Sequence, residues 1–100
     1  MDCNVRINKD RILSEFRREL RAWKNIINEG IKCNVSVAEV VRDDERHHGR
    51  ALGFLIALEA LPHCVFTDAD IDDLRKELVE VMHYTKVRIE DYEDEQHRHI

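Results

Sequence analysis

Three times along this chain a Ser, Thr or Asn stands directly ahead of an apolar-periodic run, and this repeated helix-start device confines the chain to an all-helical design. In Ser36-Val37-Ala38-Glu39 the hydroxyl can accept from the Glu39 amide while the carboxylate reaches back, and Val35 and Val40 sit where a hydrophobic staple needs them. Thr67-Asp68-Ala69-Asp70 repeats the box with Asp, with Phe66 and Ile71 as its staple and Asp72 and Asp73 adding negative charge near the positive end of the helix dipole. Asn8 caps a first helix, with Ile7 and Ile12 as the staple, although Arg11 stands where a box wants Glu or Gln.

The stops follow from Gly30, a residue suited to the left-handed helix end, and from Pro62, which cannot continue a helix and disfavours helical geometry at Leu61. Helices are expected over residues 8–29, 36–61 and 67–96 of a single domain, 1–100. Leu13, Phe16, Leu20, Trp23 and Ile27 step by three or four in the first, as do Ile71, Leu74, Leu78, Val81 or Met82 and Ile89 in the third. The second differs: from Ala51 to Leu61 only Glu59 is polar, so apolar residues surround the helix and two neighbours cannot cover them all. Short connections predict an antiparallel three-helix bundle with a long C-terminal helix that overhangs the second from about Glu93. The uncovered surface predicts a homodimer through the central helix, with Gly49, Gly53, Phe54, Leu58 and Leu61 at its interface, the glycines permitting close approach.

Composition narrows the class. Of 100 residues 37% are charged and only three are Gly and one Pro, which opposes disorder and turn-rich β architectures. The apolar run Ala51–Phe66, cut by Glu59, Pro62 and His63, is too short for a membrane span, and the polar start lacks the pattern of a secretory signal. A cytoplasmic location is expected. Cys3, Cys33 and Cys64, odd in number and without a C-x-x-C, are expected to be free thiols.

Two Glu-x-x-His pairs, Glu45/His48 and Glu80/His83, have the spacing with which four-helix bundles build di-iron carboxylate sites. Their directions disagree: Val37, Val41, His48 and Leu52 define the inner face of the second helix with Glu45 beside it, whereas Glu80 and His83 lie opposite Leu78, Val81 and Thr85. A metal site at Glu45 and His48 is therefore the alternative reading; the main reading has no metal and no cofactor. Asp44 and His48 are one turn apart, and with Arg21 they predict a buried polar network. If that network lies between subunits, protonation of His48 would alter association between pH 5 and 8, a hypothesis that a pH-independent oligomer mass would contradict.

Over Glu77-Leu78-Val79-Glu80-Val81-Met82-His83-Tyr84 the chain resembles a helix of the all-α nucleotide pyrophosphatases of the MazG type, which implies magnesium held by paired carboxylates such as Glu77 and Glu80. It departs from that family at the preceding helix, where Ala57-Leu58-Glu59-Ala60-Leu61 offers a lone Glu59 in place of a second acidic pair. No phosphate loop or nucleophile elbow is present, and a non-enzyme is favoured.

Charge is uneven: residues 1–34 carry +3, 35–66 carry −2 and 67–100 carry −6. Arg17, Arg21 and Lys24 line one flank of the first helix; pairing with acids of the third is expected there rather than nucleic-acid binding, which the net charge of −5 opposes. Glu90, Asp91, Glu93, Asp94 and Glu95 crowd a carboxyl end whose dipole disfavours them, followed by His97, Arg98 and His99. They form either a solvated tail or a surface that docks on a basic face of another protein, including one that normally holds nucleic acid. With the central Arg46–Leu58 segment (RHHGRALGFLIAL), this acidic end resembles small accessory proteins of phages and prophages. The resemblance implies a binding protein that inhibits or adapts another macromolecule by occluding its surface.

Overall fold

A computed structural model describes residues 8–62 and 64–98. They form α1 (Lys9–Lys32), α2 (Val37–Glu59) and α3 (Asp68–Arg98), and no strand is found among the described residues. No helix among them is long and apolar enough to cross a membrane.

Each start is made by its cap. The Asn8 side chain accepts from the Arg11 amide at 3.0 Å and Ser36 Oγ from the Glu39 amide at 3.3 Å. At α3 the box closes in both directions: the Asp70 amide donates to Thr67 Oγ1 (3.1 Å), and the Thr67 amide donates to Asp70 Oδ2 (2.9 Å). The same carboxylate takes Lys9 Nζ at 2.6 Å, so one side chain ties the starts of α1 and α3 together. The Lys9 ammonium, and then the Thr67 amide, hold the Asp70 carboxyl below its ordinary range. A carboxyl depressed in the folded state stabilises the fold above its unfolded pKa, and that contribution disappears as pH falls through the folded value. Asp70→Asn should therefore lower the urea midpoint at pH 7 and change it much less at pH 2; an equal change at both would remove the ion pair from the account.

The stops depart from expectation at α1. Gly30 does not end the helix; it lies inside it, facing α2, where a Cβ would meet Val40 Cγ2 at 3.4 Å, the near limit of ordinary contact. The reversal falls to Asn34, with φ 55°. Val35 N–H donates to the Gly30 carbonyl at 2.9 Å and Asn34 N–H to the Ile31 carbonyl at 3.2 Å, the paired bonds of a Schellman end with Asn at the left-handed position. Asn34→Ala should cost about 1 kcal/mol in chemical unfolding, because a Cβ without a local polar partner is poorly tolerated there. The end of α2 is Glu59 rather than residue 61, since the approach to Pro62 turns the chain out of helical geometry, and α3 continues to Arg98 rather than residue 96.

Phe16, Leu20, Trp23 and Ile27 of α1 meet Val40, Ala51, Leu55 and Leu58 of α2 and Ile71, Leu74, Leu78, Val81, Ile89 and Tyr92 of α3, with Val65 and Phe66 closing one end. In α3 the inward residue is Val81, and Met82 is 38% exposed. In α2 the expected inner face holds at Val37, which packs against the core, and at His48, which stacks on Trp23, and fails at Val41 and Leu52, which face out while Val40, Ala51 and Leu55 are buried. A helix apolar on all sides carries no mark of which side its neighbours will take.

The contacts fix how the helices run. Phe16 meets Phe54, Glu19 meets Arg50 and Trp23 meets Asp44, so numbers rise along α1 as they fall along α2. Lys9 with Asp70, Arg17 with Glu77 and Asn28 with Arg88 rise together along α1 and α3. The result is a rod of 62 × 19 × 16 Å, so slender that every helix keeps an outer face. At the centre of α3, Thr85 is fully buried and donates to its own helix at the Met82 carbonyl, 3.2 Å away. Because that carbonyl also belongs to the helical ladder, Thr85→Val should shift stability by less than about 1 kcal/mol, as measured by thermal unfolding.

Candidate functional site

The basic flank of α1 is met along its length by α3. Arg17 donates twice to Glu77, at 3.0 and 3.3 Å, and Glu77 pushes the guanidinium pKa up, first through the hydrogen bond and then through its charge. Lys24 Nζ stands 5.1 Å from the centre of the Tyr84 ring, and Asn28 is bonded by Tyr84 and Arg88. Glu77 and Glu80 share their groove with Arg17, Arg21 and Lys24, so the carboxylates implied by the pyrophosphatase resemblance face cations. No group of three or more His, Cys, Asp or Glu among the described residues could hold a metal.

The polar network inside the bundle has a different membership from the one expected. Asp44 accepts from the indole Nε1 of Trp23 at 2.7 Å, and the His48 ring stacks on that indole at 5.4 Å and 15°. Trp23 thus stands where Arg21 was expected; Arg21 is exposed on the α3 side. The role is internal: a fully buried indole N–H finds its acceptor, and the imidazole of His48 lies against α1 of its own chain. Glu45 is exposed and His83 lies on the solvent side of α3. The neighbouring His47 has a buried Nδ1 without a hydrogen-bond partner, a feature with no sequence signal.

Beyond Tyr92 the chain leaves the bundle. Tyr92 is 4% exposed, and its hydroxyl donates to the Val35 carbonyl at 2.5 Å, fastening α3 to the turn between α1 and α2. Residues 93–98 are all exposed, so roughly a turn and a half of helix projects past the last core residue. Glu90, Asp91, Glu93, Asp94 and Glu95 are exposed, and none of them forms an ion pair among the described residues. Asp91, Asp94, Glu95 and Arg98 rim one shallow concavity on this end. His99 lies outside the described residues.

On α2 the structure separates the residues expected at a subunit contact. Leu58 is 5% exposed and belongs to the chain's own core; Phe54 packs its ring on Phe16 at 5.5 Å, and Leu61 is half-buried against the core. Gly49 and Gly53 are open, with nothing within 4 Å of the place a Cβ would take. The large apolar residues of α2 left outside are Val41, Leu52 and Ile56, at 36%, 42% and 56% exposure. The reason is that the inner face runs through Val40, Ala51 and Leu55.

The thiol expectation also needs correction. Cys64 is disulfide-bonded, so the expectation of free thiols fails there; Cys3 lies outside the described residues. Cys33 is free and exposed, and its thiol donates to Glu29 Oε1 at 3.6 Å, which raises its pKa together with burial and the carboxylate charge. Because the thiolate is the nucleophile, Glu29→Ala should speed alkylation of Cys33 by iodoacetamide at pH 7.5, an effect that fades above the thiol pKa; an unchanged rate would discard the Glu29 contact.

Comparison with known proteins gives no relative: no family model, no curated protein and no solved structure matches this chain.

Proposed function

We propose that this chain is a non-enzymatic, intracellular protein-binding module, an antiparallel helical bundle that self-associates and docks the acidic end of α3 on a basic surface of another protein, as a phage-type inhibitor or adaptor would. The observation that carries the reading is the projecting end itself. Five carboxylates lie at and beyond the last anchored turn and form no ion pair among the described residues, whereas Asp70 and Glu77, nearer the start of α3, are used within the chain by Lys9 and Arg17. Carrying like charges at a helix end whose dipole opposes them costs stability, and a partner's Lys and Arg would offset that cost. Held on a continuous helix fastened by Tyr92, the charges keep a fixed spacing, which reduces the ordering entropy lost on docking. Nucleic acid is disfavoured as a partner by the net charge of −5 and because Arg17 and Lys24 of α1 are engaged by Glu77 and Tyr84 of α3. The metal-dependent alternative would need a third ligand beside Glu45 and His48, or release of Glu77 from Arg17.

Deleting residues 93–100 tests the reading. The truncated chain should keep nearly all of its helical circular dichroism and lose the partner that the full chain retains from its native cytoplasm, and that retention should weaken steeply with salt. Capture of the same partner by both chains would sink the docking role.

A further inference from the structure

The chain has three cysteines, at positions 3, 33 and 64. In a structure of one chain, Cys64 is disulfide-bonded and Cys33 is free. Geometry excludes Cys33 independently. It closes the far end of α1, about 35 Å along that helix from Lys9, near the turn where Tyr92 meets Val35, whereas Cys64 lies in the connection at the opposite end of the rod. A disulfide tolerates no more than about 7 Å between Cα atoms. Cys3 is the cysteine that remains.

The start of α1 is held against that same connection. Lys9 Nζ is bonded to Asp70 and stands 5.4 Å from the centre of the Phe66 ring. Phe66 is two residues from Cys64, and the Val65 amide donates to the Pro62 carbonyl at 2.9 Å, which keeps Cys64 in a tight turn beside the start of α1. Cys3 precedes the Asn8 cap by five residues, a length of chain that spans up to about 17 Å. The reach is ample. Cys64 is exposed, so a small thiol can attack its sulfur without unfolding the chain. Nor does the bundle depend on this bond: Lys9 and Asp70 already tie the starts of α1 and α3 together, and the core around Phe16, Trp23, Leu55 and Leu74 comes from the helices themselves.

We infer that Cys3 and Cys64 form a reversible disulfide that straps the amino-terminal segment to the α2–α3 connection and makes the stability of the bundle sensitive to redox conditions. In the closing reaction one cysteine thiolate attacks oxidised glutathione, a glutathione thiolate leaves, and a mixed disulfide forms on the protein. The second cysteine, as thiolate, attacks the protein sulfur of that bond and releases the second glutathione. The two cysteines thereby lose two protons and two electrons, and one glutathione disulfide becomes two thiols. Closure joins residues 3 to 64 into a loop that holds both α1 and α2, so it removes entropy from the unfolded chain. In the intracellular setting proposed above the dithiol is the resting state, and oxidation closes the strap. The pairing itself does not rest on that setting, and it lies at the end of the rod away from the acidic turns of α3.

Full-length protein equilibrated in a mixture of reduced and oxidised glutathione, then denatured without further reductant, tests the pairing by iodoacetamide alkylation and tryptic mapping. Cys33 alone should be alkylated, and residues 1–6 should be recovered joined to residues 51–75. The oxidised chain should melt at least about 5 °C above the dithiothreitol-treated chain. Cys3→Ser and Cys64→Ser should each melt at the reduced value in either condition. Dithiothreitol should open the bond in the absence of urea, with the helical circular dichroism unchanged. Residues 51–75 joined to the Cys33 peptide or to a second copy of themselves, or alkylation of all three cysteines in the oxidised sample, would overturn the pairing. A bond that opens only in urea, or that leaves the melting temperature unchanged, would overturn the switch and leave the pairing in place. Neither result bears on partner capture by the acidic end, which the truncation decides.

Discussion

Trp23→Ala is expected to destabilise the chain by about 3 to 5 kcal/mol, the usual cost of emptying a fully buried aromatic site. Trp23 is 0% exposed in a core to which all three helices contribute, and it is also the polar centre of that core. Removing it leaves the Asp44 carboxylate without its 2.7 Å donor and His48 without the ring it stacks on. A domain of this size holds about 5 to 15 kcal/mol in all, so the loss is about a fifth or more of the total. The melting temperature should fall by at least about 12 °C. Asp44→Ala separates the two parts of the effect: it keeps the packing but orphans a buried indole N–H, at about 1 to 3 kcal/mol. Circular dichroism with urea measures all three proteins. A loss below about 1 kcal/mol for Trp23→Ala would mean that the indole is not at the centre of the core.

The second large effect is at the other end of α3. Tyr92→Ala should cost about 2 to 4 kcal/mol and free the last turns of the helix, since it removes both a buried ring and the hydroxyl bonded to Val35. Tyr92→Phe keeps the ring and should cost only about 0.5 to 1.5 kcal/mol. The functional consequence differs from that of truncation, because the carboxylates remain and only their fixed spacing is lost. Amide exchange should show residues 90–98 opening in the alanine variant while Leu74 and Leu78 stay protected. Equal protection in both variants would remove Tyr92 as the anchor of the acidic end.

Local signals were legible in proportion to how completely the deciding partners lie within one turn. Ser36, Thr67 and Asn8 could be read as caps because acceptor and donor are three residues apart, and Phe16, Leu20, Trp23 and Ile27 as a core stripe because their spacing admits only one inner side. Gly30 misled for the opposite reason. A glycine can end a helix or lie within it, and here it lies within it against Val40 of another helix, while Asn34 at the true stop is a weaker signal for the left-handed conformation. Likewise Asp44 and His48 were recognisable as a polar pair, but their partner came from α1 as Trp23 rather than Arg21, since the rotation of α1 against its neighbours is invisible without them.

What the sequence alone determined, then, is that three helices form, where they begin, and which side of α1 and α3 turns inward: local hydrogen bonds and period set these. The tertiary structure alone decided which side of α2 is buried. A helix apolar all round is nearly indifferent to its own rotation, so the choice passes to the shapes of α1 and α3. Their packing drew in Leu55 and Leu58 and left Leu52 and Ile56 outside.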